Sequence, residues 1–204
     1  RSQFSYRHLW NNLYSLKGRG PDNMQLQRVS EDLVLGFQRL RIVDTSEAGD
    51  QPLRRGKISV IANAEIYNYK ELKAKYGFDF ESHSDCEIFL HLYEKFGSVD
   101  KFINELDGVF AFILHDENTG ETFVGRDPIG VRPIFLGQDD NGNYAFASEA
   151  KALVNVCKGD TIKPFLPGHY WSSSSEQYTR WYKPTINYDD VSESSFDEAS
   201  ALKT

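Results

Sequence analysis

Three stretches of the chain repeat apolar side chains every three or four residues, the spacing typical of an amphipathic helix. The first covers residues 4–16, and its apolar stripe consists of Tyr6, Leu9, Trp10, Leu13 and Leu16. The second covers residues 66–76. The third covers residues 87–96, and either Ser84 or Asp85 ahead of it is a suitable N-cap. The pattern therefore predicts three amphipathic helices, and shorter helices are expected at residues 99–106 and 150–156.

Short β-rich runs fill much of the remaining chain, namely residues 33–43, 57–62, 109–116, 121–127, 132–138 and 143–149. Turn-forming residues separate the last four, so we predict an antiparallel meander. At one of these turns we expect Arg126, Asp127 and Arg132 to form opposite-charge pairs. A segment with the pattern of an edge strand follows at residues 164–171. Strands, then helices, then closely spaced strands make an α+β protein rather than a doubly wound parallel sheet.

Composition and charge exclude several classes of protein. The 204 residues are 40% hydrophobic and 26% charged, an ordinary globular balance, and the net charge of -7 disfavours nucleic acid and anionic membranes as partners. No apolar run approaches the ~20 residues that a transmembrane helix needs. Two cysteines, Cys86 and Cys157, are too few for a disulfide framework. We therefore expect a cytoplasmic protein with no metal site, in which Cys86 is a packed structural residue.

A series of polar motifs in a fixed order gives the chain a family resemblance. The motifs are RGPD (19–22), RL with IVD (39–44), QP (51–52), NAEIYN (63–68), SDCE (84–87), LDGVFAF (106–112), GRD with GVRP (125–133), ASEAK (147–151) and PFLPG (164–168). Together they resemble the N-terminal class II glutamine amidotransferase domain of the glutamine-dependent asparagine synthetases, and the GVRP and PFLPG forms are similar to the eukaryotic type. The resemblance implies an N-terminal-nucleophile hydrolase-like fold, a four-layer αββα sandwich of two antiparallel sheets.

The resemblance also implies where the chemistry would occur. In this family an N-terminal cysteine attacks the side-chain amide of glutamine, with its own amine as the base. The matching oxyanion donors are the side chain of Asn63 and the backbone N–H of Ala64. The family usually has Gly at the second position, so Ala64 fits only where φ is negative or where the loop shifts.

The same resemblance implies the residues that recognise glutamine. Arg39 matches the family arginine that holds the α-carboxylate, a role that suits the bidentate guanidinium. Glu65 and Asp85 match the acidic residues that hold the α-ammonium. The pocket lining is expected to include Leu40, Ile42 and Val43, together with Asn63 and Ala64.

The sequence departs from the family pattern at the position of the nucleophile. Family members begin with a Cys-Gly-Ile or Cys-Gly-Leu strand, whereas this sequence enters the predicted first helix directly after Arg1, Ser2 and Gln3. Three explanations stay open. The strand precedes Arg1 in the parent protein, or the domain is a natural pseudoenzyme that binds glutamine or acts as a scaffold, or Ser2 becomes the nucleophile after removal of Arg1. As given, the chain is not expected to hydrolyse glutamine. A second departure is Gly18, where the family usually has His.

The expected organisation is a glutamine amidotransferase domain over residues 1–188, followed by a linker or the start of a synthetase domain over residues 189–204. The implied function is glutamine hydrolysis that supplies ammonia for asparagine formation from aspartate and ATP. No cofactor is expected in this domain, since ATP and Mg²⁺ belong to the synthetase domain. The expected partners are L-glutamine, that C-terminal domain and a second copy in a homodimer. The alternatives are a non-catalytic binding module and a class II amidotransferase of another pathway, such as an amidophosphoribosyltransferase.

Overall fold

The computed structural model describes residues 6–41 and 46–184, which contain three α-helices and eleven β-strands. The helices are α1 (Tyr6–Tyr14), α2 (Tyr69–Tyr76) and α3 (Ile88–Phe96). The strands are β1 (Asn23–Arg28), β2 (Val34–Arg39), β3 (Leu53–Arg55), β4 (Ile58–Ile66), β5 (Gly108–Asp116), β6 (Glu121–Arg126), β7 (Phe135–Gln138), β8 (Tyr144–Ala147), β9 (Lys163–Pro164), β10 (His169–Ser172) and β11 (Gln177–Arg180). The predicted helix start at residues 4–5 and the predicted linker at 189–204 lie outside the described residues.

The largest sheet has six strands in the order β11-β10-β6-β5-β4-β3, and all its neighbouring pairs are antiparallel. Side chains of a strand alternate between its two faces, so every second residue of β4 and β5 points the same way. On one face these residues pack against α3, where the rings of Phe89 and Phe112 lie 4.7 Å apart between centroids. The main cluster on this face includes Val60, Ala62, Phe110, Phe112, Leu114, Ile88, Phe89 and Leu92.

The opposite face of this sheet packs on a second layer of strands. One part of that layer is a three-stranded sheet in the order β8-β7-β9, and the other is the β1-β2 hairpin. Ala111, Val124 and Trp171 of the large sheet pack with Ile134, Leu136 and Phe165. Helix α1 lies over both parts, because Leu13 and Leu16 pack with Leu26 of β1 and Ala147 of β8. Helices, sheet, sheet and helix thus form the four layers that the sequence analysis predicted.

The predicted meander is wrong at one point. Strand β6 pairs with β5 and β10, whereas β7 pairs with β8 and β9 in the other sheet. The turn between β6 and β7 therefore carries the chain from one layer to the next. Its centre is Asp127, which is fully buried and accepts hydrogen bonds from the backbone N–H groups of Gly130 (2.6 Å), Val131 (2.9 Å) and Arg132 (2.9 Å). This carboxylate fixes a crossover that looks like a hairpin turn in the sequence.

The charge pairs predicted at this turn are confirmed only in part. Arg126 donates to the carbonyl oxygens of Arg132, Phe165 and Gly130 at 2.6–2.8 Å. Arg132 approaches Glu65 instead, at 3.4 Å. Backbone groups thus satisfy the half-buried charge of Arg126 and the buried charge of Asp127, because the tight crossover brings many of these groups together.

Other boundaries also differ from the sequence expectations. Helix α2 begins at Tyr69 because β4 continues to Ile66, where it still pairs with Gly108 of β5. Strands β1 and β3 were not predicted: the alternation of apolar and polar residues in β1 is limited to Met24 and Leu26, and β3 has only three residues. The predicted edge strand at residues 164–171 divides into β9 and β10, and β10 lies inside the large sheet, between β6 and β11.

A substitution on the sheet face that packs against α3 can test the fold. A Cβ at Gly125 would lie 2.4 Å from the ring of Phe112, which is 1% exposed and held between Phe89 and Phe110. We expect Gly125→Ala to lower the free energy of unfolding by about 1–3 kcal/mol, because a packed ring has to move. Urea denaturation measures this value. The matched control is Gly159→Ala, where an added Cβ meets nothing within 4 Å and no loss is expected. Equal stability of the two variants would contradict this account of the packing.

Candidate functional site

A cavity of about 1330 Å³ lies between the large sheet and the second layer. Its walls include all of β2 and all of β8, and residues 61–65 of β4 line it from the large sheet. Leu9 and Leu13 of α1 line it as well. Strands β2 and β8 belong to different sheets. Within the part of the chain that the structure describes, the cavity therefore separates two strands that share no ladder hydrogen bonds.

The edge of β4 that faces away from β5 carries three backbone amides in a row. The N–H of Ala62 donates to the side chain of Gln51 at 2.6 Å, and the N–H of Ile66 donates to Asp85 at 2.7 Å. Backbone groups point alternately to the two sides of a strand, so the N–H of Ala64, midway between them, points to this same edge. Phe110, which lies opposite Ala64, bonds Asp127 on its other side. Ala64 N–H is therefore directed away from the β4–β5 ladder.

The two predicted oxyanion donors are adjacent on this strand. Asn63 shares a face with Ile61 and lines the cavity, and its partner in the sheet register is Ala111. Ala64 lies inside β4, and among the described residues other than glycine only Asn155 and Glu176 have positive φ. The negative φ that the sequence analysis requires at Ala64 is therefore present. In this extended backbone the Cβ of Ala64 causes no strain, and its N–H is still available.

Two carboxylates lie beside these donors. Asp85 is half-buried, and burial raises its pKa, with the nearby charge of Glu65 acting in the same direction. Glu65 is exposed and lies 3.4 Å from Arg132. Both side chains line the cavity. Two neighbouring acids, one of them with a raised pKa, form a site that a cation would stabilise.

Arg39, at the end of β2, is 5% exposed and lines the cavity. Its guanidinium forms an ion pair with Asp50 and donates to the carbonyl oxygen of Ser46 at 2.6 Å. Asp50 also accepts from Asn23 at 2.6 Å. Leu40 follows, exposed and at the rim of the cavity, whereas Ile42 and Val43 lie outside the described residues. The structure thus brings Arg39 and Leu40 to the same cavity as Asn63, Ala64, Glu65 and Asp85.

Two residues that support the site have no predicted role in the sequence analysis. Gln51 is 5% exposed and bonds both the N–H and the carbonyl oxygen of Ala62, at 2.6 and 3.0 Å, as a neighbouring strand would. Asp50 holds Arg39 in place. The QP motif marks Gln51 in the sequence, but nothing in the pattern reveals which backbone it bonds.

Several other features bear on the chemistry of the site. Cys86 is 4% exposed, and burial raises the pKa of its thiol strongly, which confirms that it is a packed structural residue. An added Cβ at Gly18 would meet nothing within 4 Å. Residues 6–41 and 46–184 contain no group of three or more His, Cys, Asp or Glu side chains that could hold a metal ion. No helix within these ranges has the length and apolar character needed to cross a membrane.

Comparisons with known proteins agree with this geometry. Residues 2–182 match the family described as a glutamine amidotransferase domain. The chain is 40% identical over 188 residues to asparagine synthetase B [glutamine-hydrolyzing] of Escherichia coli (strain K12), covering 90% of this chain and 33% of that protein. It is 44% identical over 161 residues to asparagine synthetase [glutamine-hydrolyzing] of Mus musculus, covering 74% and 28% respectively. The chain thus spans about a third of the length of the curated relatives it matches.

A solved structure shows the same fold. Glutamine phosphoribosylpyrophosphate amidotransferase from B. subtilis, in complex with ADP and GMP, superposes with a TM-score of 0.62 at 25% identity, covering 74% of this chain and 35% of that one. A second structure, described as the allosteric regulatory enzyme of purine biosynthesis, gives a TM-score of 0.60 at 23% identity. Both likenesses agree with the four-layer sandwich.

The raised pKa of Asp85 predicts a cost of keeping this residue charged. The native state favours the protonated carboxyl, so the charge destabilises the fold above the raised pKa and the penalty disappears as the pH falls below the unfolded-state value. We expect Asp85→Asn to be more stable than the wild type near neutral pH, and this advantage to vanish in acid. Urea denaturation across a pH series measures both.

The matched control is the same substitution at the crossover carboxylate. Asp127→Asn replaces the acceptor of several backbone N–H groups. We therefore expect it to lower the free energy of unfolding by about 1–3 kcal/mol near neutral pH. An Asp85→Asn variant that loses as much stability would show that the Asp85 carboxylate is mainly structural.

Proposed function

Because this chain belongs to the family of glutamine amidotransferase domains, we propose that it binds L-glutamine at the edge of β4. Asn63 and the N–H of Ala64 face the carboxamide of the ligand and would stabilise the oxyanion formed there. Glu65 and Asp85 hold the α-ammonium, and Arg39 holds the α-carboxylate. Leu40 lines the same cavity, whereas Ile42 and Val43, which the family resemblance adds to the lining, lie outside the described residues. The observation that carries the proposal is the Ala64 N–H, directed outward between two amides that are already bonded.

The reaction needs a nucleophile beside these donors. A thiolate attacks the carboxamide carbon, ammonia leaves after taking a proton, and water then releases glutamate from the thioester. Neither Cys86 nor Cys157 is suited to this step, since burial raises the pKa of both thiols, that of Cys157 to about 11. We therefore assign the nucleophile to a strand that begins with cysteine.

The cavity between β2 and β8 is the place for such a strand. Both strands line it along their whole length, and Asn63 faces it from β4. An extended segment there would pair with the exposed edges and join the hairpin to the three-stranded sheet, since paired edges are more stable than open ones. Its first residue would then reach Asn63 and Ala64.

The wider role follows from the relatives. They are named asparagine synthetases [glutamine-hydrolyzing] and are about three times longer than this chain. We assign residues 1–188 to the amidotransferase domain and residues 189–204 to a linker or to the start of the synthetase domain. The ammonia would pass to a C-terminal synthetase domain that uses aspartate, ATP and Mg²⁺, in a cytoplasmic protein that forms a homodimer. No cofactor is assigned to the amidotransferase domain itself.

Two other functions use the same site differently. A non-catalytic glutamine-binding domain is favoured by the position of the recognition side chains. Arg39, Glu65 and Asp85 lie on β2, on β4 and in the turn before α3, and none of these elements is the proposed nucleophile strand. An amidotransferase of another pathway is favoured by the likeness to glutamine phosphoribosylpyrophosphate amidotransferase. Identifying the molecule that accepts ammonia in the full-length protein would distinguish an amidotransferase of another pathway from an asparagine synthetase.

The recognition half of the site can be tested on the chain as given. We expect calorimetry to show binding of L-glutamine and weaker binding of its analogue without the α-amine, 4-carbamoylbutyrate, since Glu65 and Asp85 need an ammonium. Asp85→Asn should weaken the binding of glutamine about tenfold, which corresponds to the loss of one ionic hydrogen bond. The binding of the analogue should not change. Equal affinity for the two ligands would rule out this assignment of the acids.

The catalytic half is tested by supplying the nucleophile. A variant extended at the N-terminus by a Cys-Gly-Ile strand, with the cysteine as its first residue, should release glutamate from glutamine. In that variant Asn63→Ala should lower kcat by about 10²–10³-fold, the effect of removing one oxyanion donor. The control carries Ala in place of the first Cys and should be inactive. If the extended protein binds glutamine but releases no glutamate, the assigned place of the strand is wrong.

A further inference from the structure

A buried carboxylate, that of Glu87, lies close to the site and has no part in the chemistry proposed above. Glu87 is 6% exposed. Its Oε1 accepts from the backbone N–H of Glu81 at 2.7 Å. Its Oε2 accepts from the N–H of Ser82 at 2.8 Å and from the Ser82 hydroxyl at 2.6 Å. The carboxylate therefore ties the loop before α3 to the turn that begins that helix.

Glu87 is itself held from the other side. His91 lies one helical turn later, with Nε2 3.2 Å from the Glu87 carboxylate. The His91 ring is 5.0 Å from each of the rings of Phe78 and Phe80. Burial alone would raise the pKa of Glu87, but the hydrogen bonds from Ser82 and Glu81 outweigh it and lower the pKa. Glu87 is thus a fixed anion and a strong acceptor.

The contacts of Glu87 continue toward the site. The Ser82 hydroxyl that donates to Glu87 also accepts from the N–H of Ser84 at 3.2 Å, and Ser84 accepts from the N–H of Cys86 at 3.3 Å. Asp85 lies between these last two residues and reaches β4 through the N–H of Ile66. The segment 81–87 is therefore closed on itself by Glu87, with Asp85 at its tip.

We propose that Glu87 is a positioning residue for Asp85: by closing the segment 81–87 it holds the Asp85 carboxylate at the β4 edge, where the ammonium of the ligand binds. This inference rests on the proposed function. It predicts that loss of the Glu87 acceptor harms recognition of the α-amine specifically, because Arg39, Asn63 and Ala64 lie on other elements. A merely structural role would weaken every ligand alike.

The experiment measures dissociation constants for L-glutamine and for 4-carbamoylbutyrate, by calorimetry on the whole chain. In Glu87→Gln, an NH₂ group faces N–H donors and the closure is lost. We expect glutamine to bind about tenfold more weakly, comparable to the loss of one ionic hydrogen bond, with the analogue unchanged within about twofold. In an Asp85→Asn background the same substitution should have no further effect on glutamine.

Matched variants separate this effect from misfolding. Glu94→Gln makes the same change on α3 at a residue whose side chain is 52% exposed, and it should alter neither ligand. If Glu87→Gln does not fold, Ser82→Ala provides a second test, because it removes the hydrogen bond from the Ser82 hydroxyl to Glu87. It should weaken the binding of glutamine but not that of the analogue. Ser82→Thr keeps the hydroxyl and should bind glutamine as the wild type does.

The outcomes are distinct. If Glu87→Gln weakens the binding of both ligands equally, or changes neither, the proposed role of Glu87 is wrong, and the proposed glutamine site is unaffected. A wild-type chain that does not distinguish the two ligands overturns the proposed function, and the inference falls with it.

Discussion

The site depends on how the free edge of β4 is satisfied. Strand β3 pairs only with residues 58–60, so the outward amides of Ala62, Ala64 and Ile66 lie beyond its end. Backbone N–H groups in a folded interior need partners. The protein meets this need with side chains: Gln51 bonds Ala62 and Asp85 bonds Ile66. A full neighbouring strand would have covered all three amides, whereas side chains leave the middle one available to a ligand.

This arrangement explains why acidic side chains collect at a partly buried place. Asp85 has two tasks, since it satisfies Ile66 and presents a negative charge to the cavity beside Glu65. The raised pKa of Asp85 reflects what burial of that charge costs. A cationic ligand offsets the cost, so the same burial that weakens the free protein strengthens recognition. The buried Glu87 keeps this poised charge in one place.

Much of this could be predicted from the sequence, but not all of it. The strand before Asn63 follows from its β-branched, apolar residues, and the helix after Asp85 follows from apolar periodicity. The order of the motifs identifies the candidate residues. The split between two sheets does not follow, because the Asp127 crossover has the same turn-forming residues as a hairpin. Nor does the role of Gln51, because a side chain that replaces a strand leaves no periodic signal. Long-range hydrogen bonds decide both.

The recognition and nucleophile halves of the site belong to different parts of the fold. Arg39, Glu65 and Asp85 lie on β2, on β4 and in the turn into α3, where they contact Asp50, Arg132 and the N–H of Ile66 respectively. The strand that we propose to carry the nucleophile would occupy the cavity between β2 and β8. In the proposed site, the residues that recognise glutamine thus lie on elements other than the nucleophile strand. Loss of the cysteine would then remove catalysis and leave the recognition side chains in place, so a lack of glutaminase activity alone would not show that the domain is a scaffold.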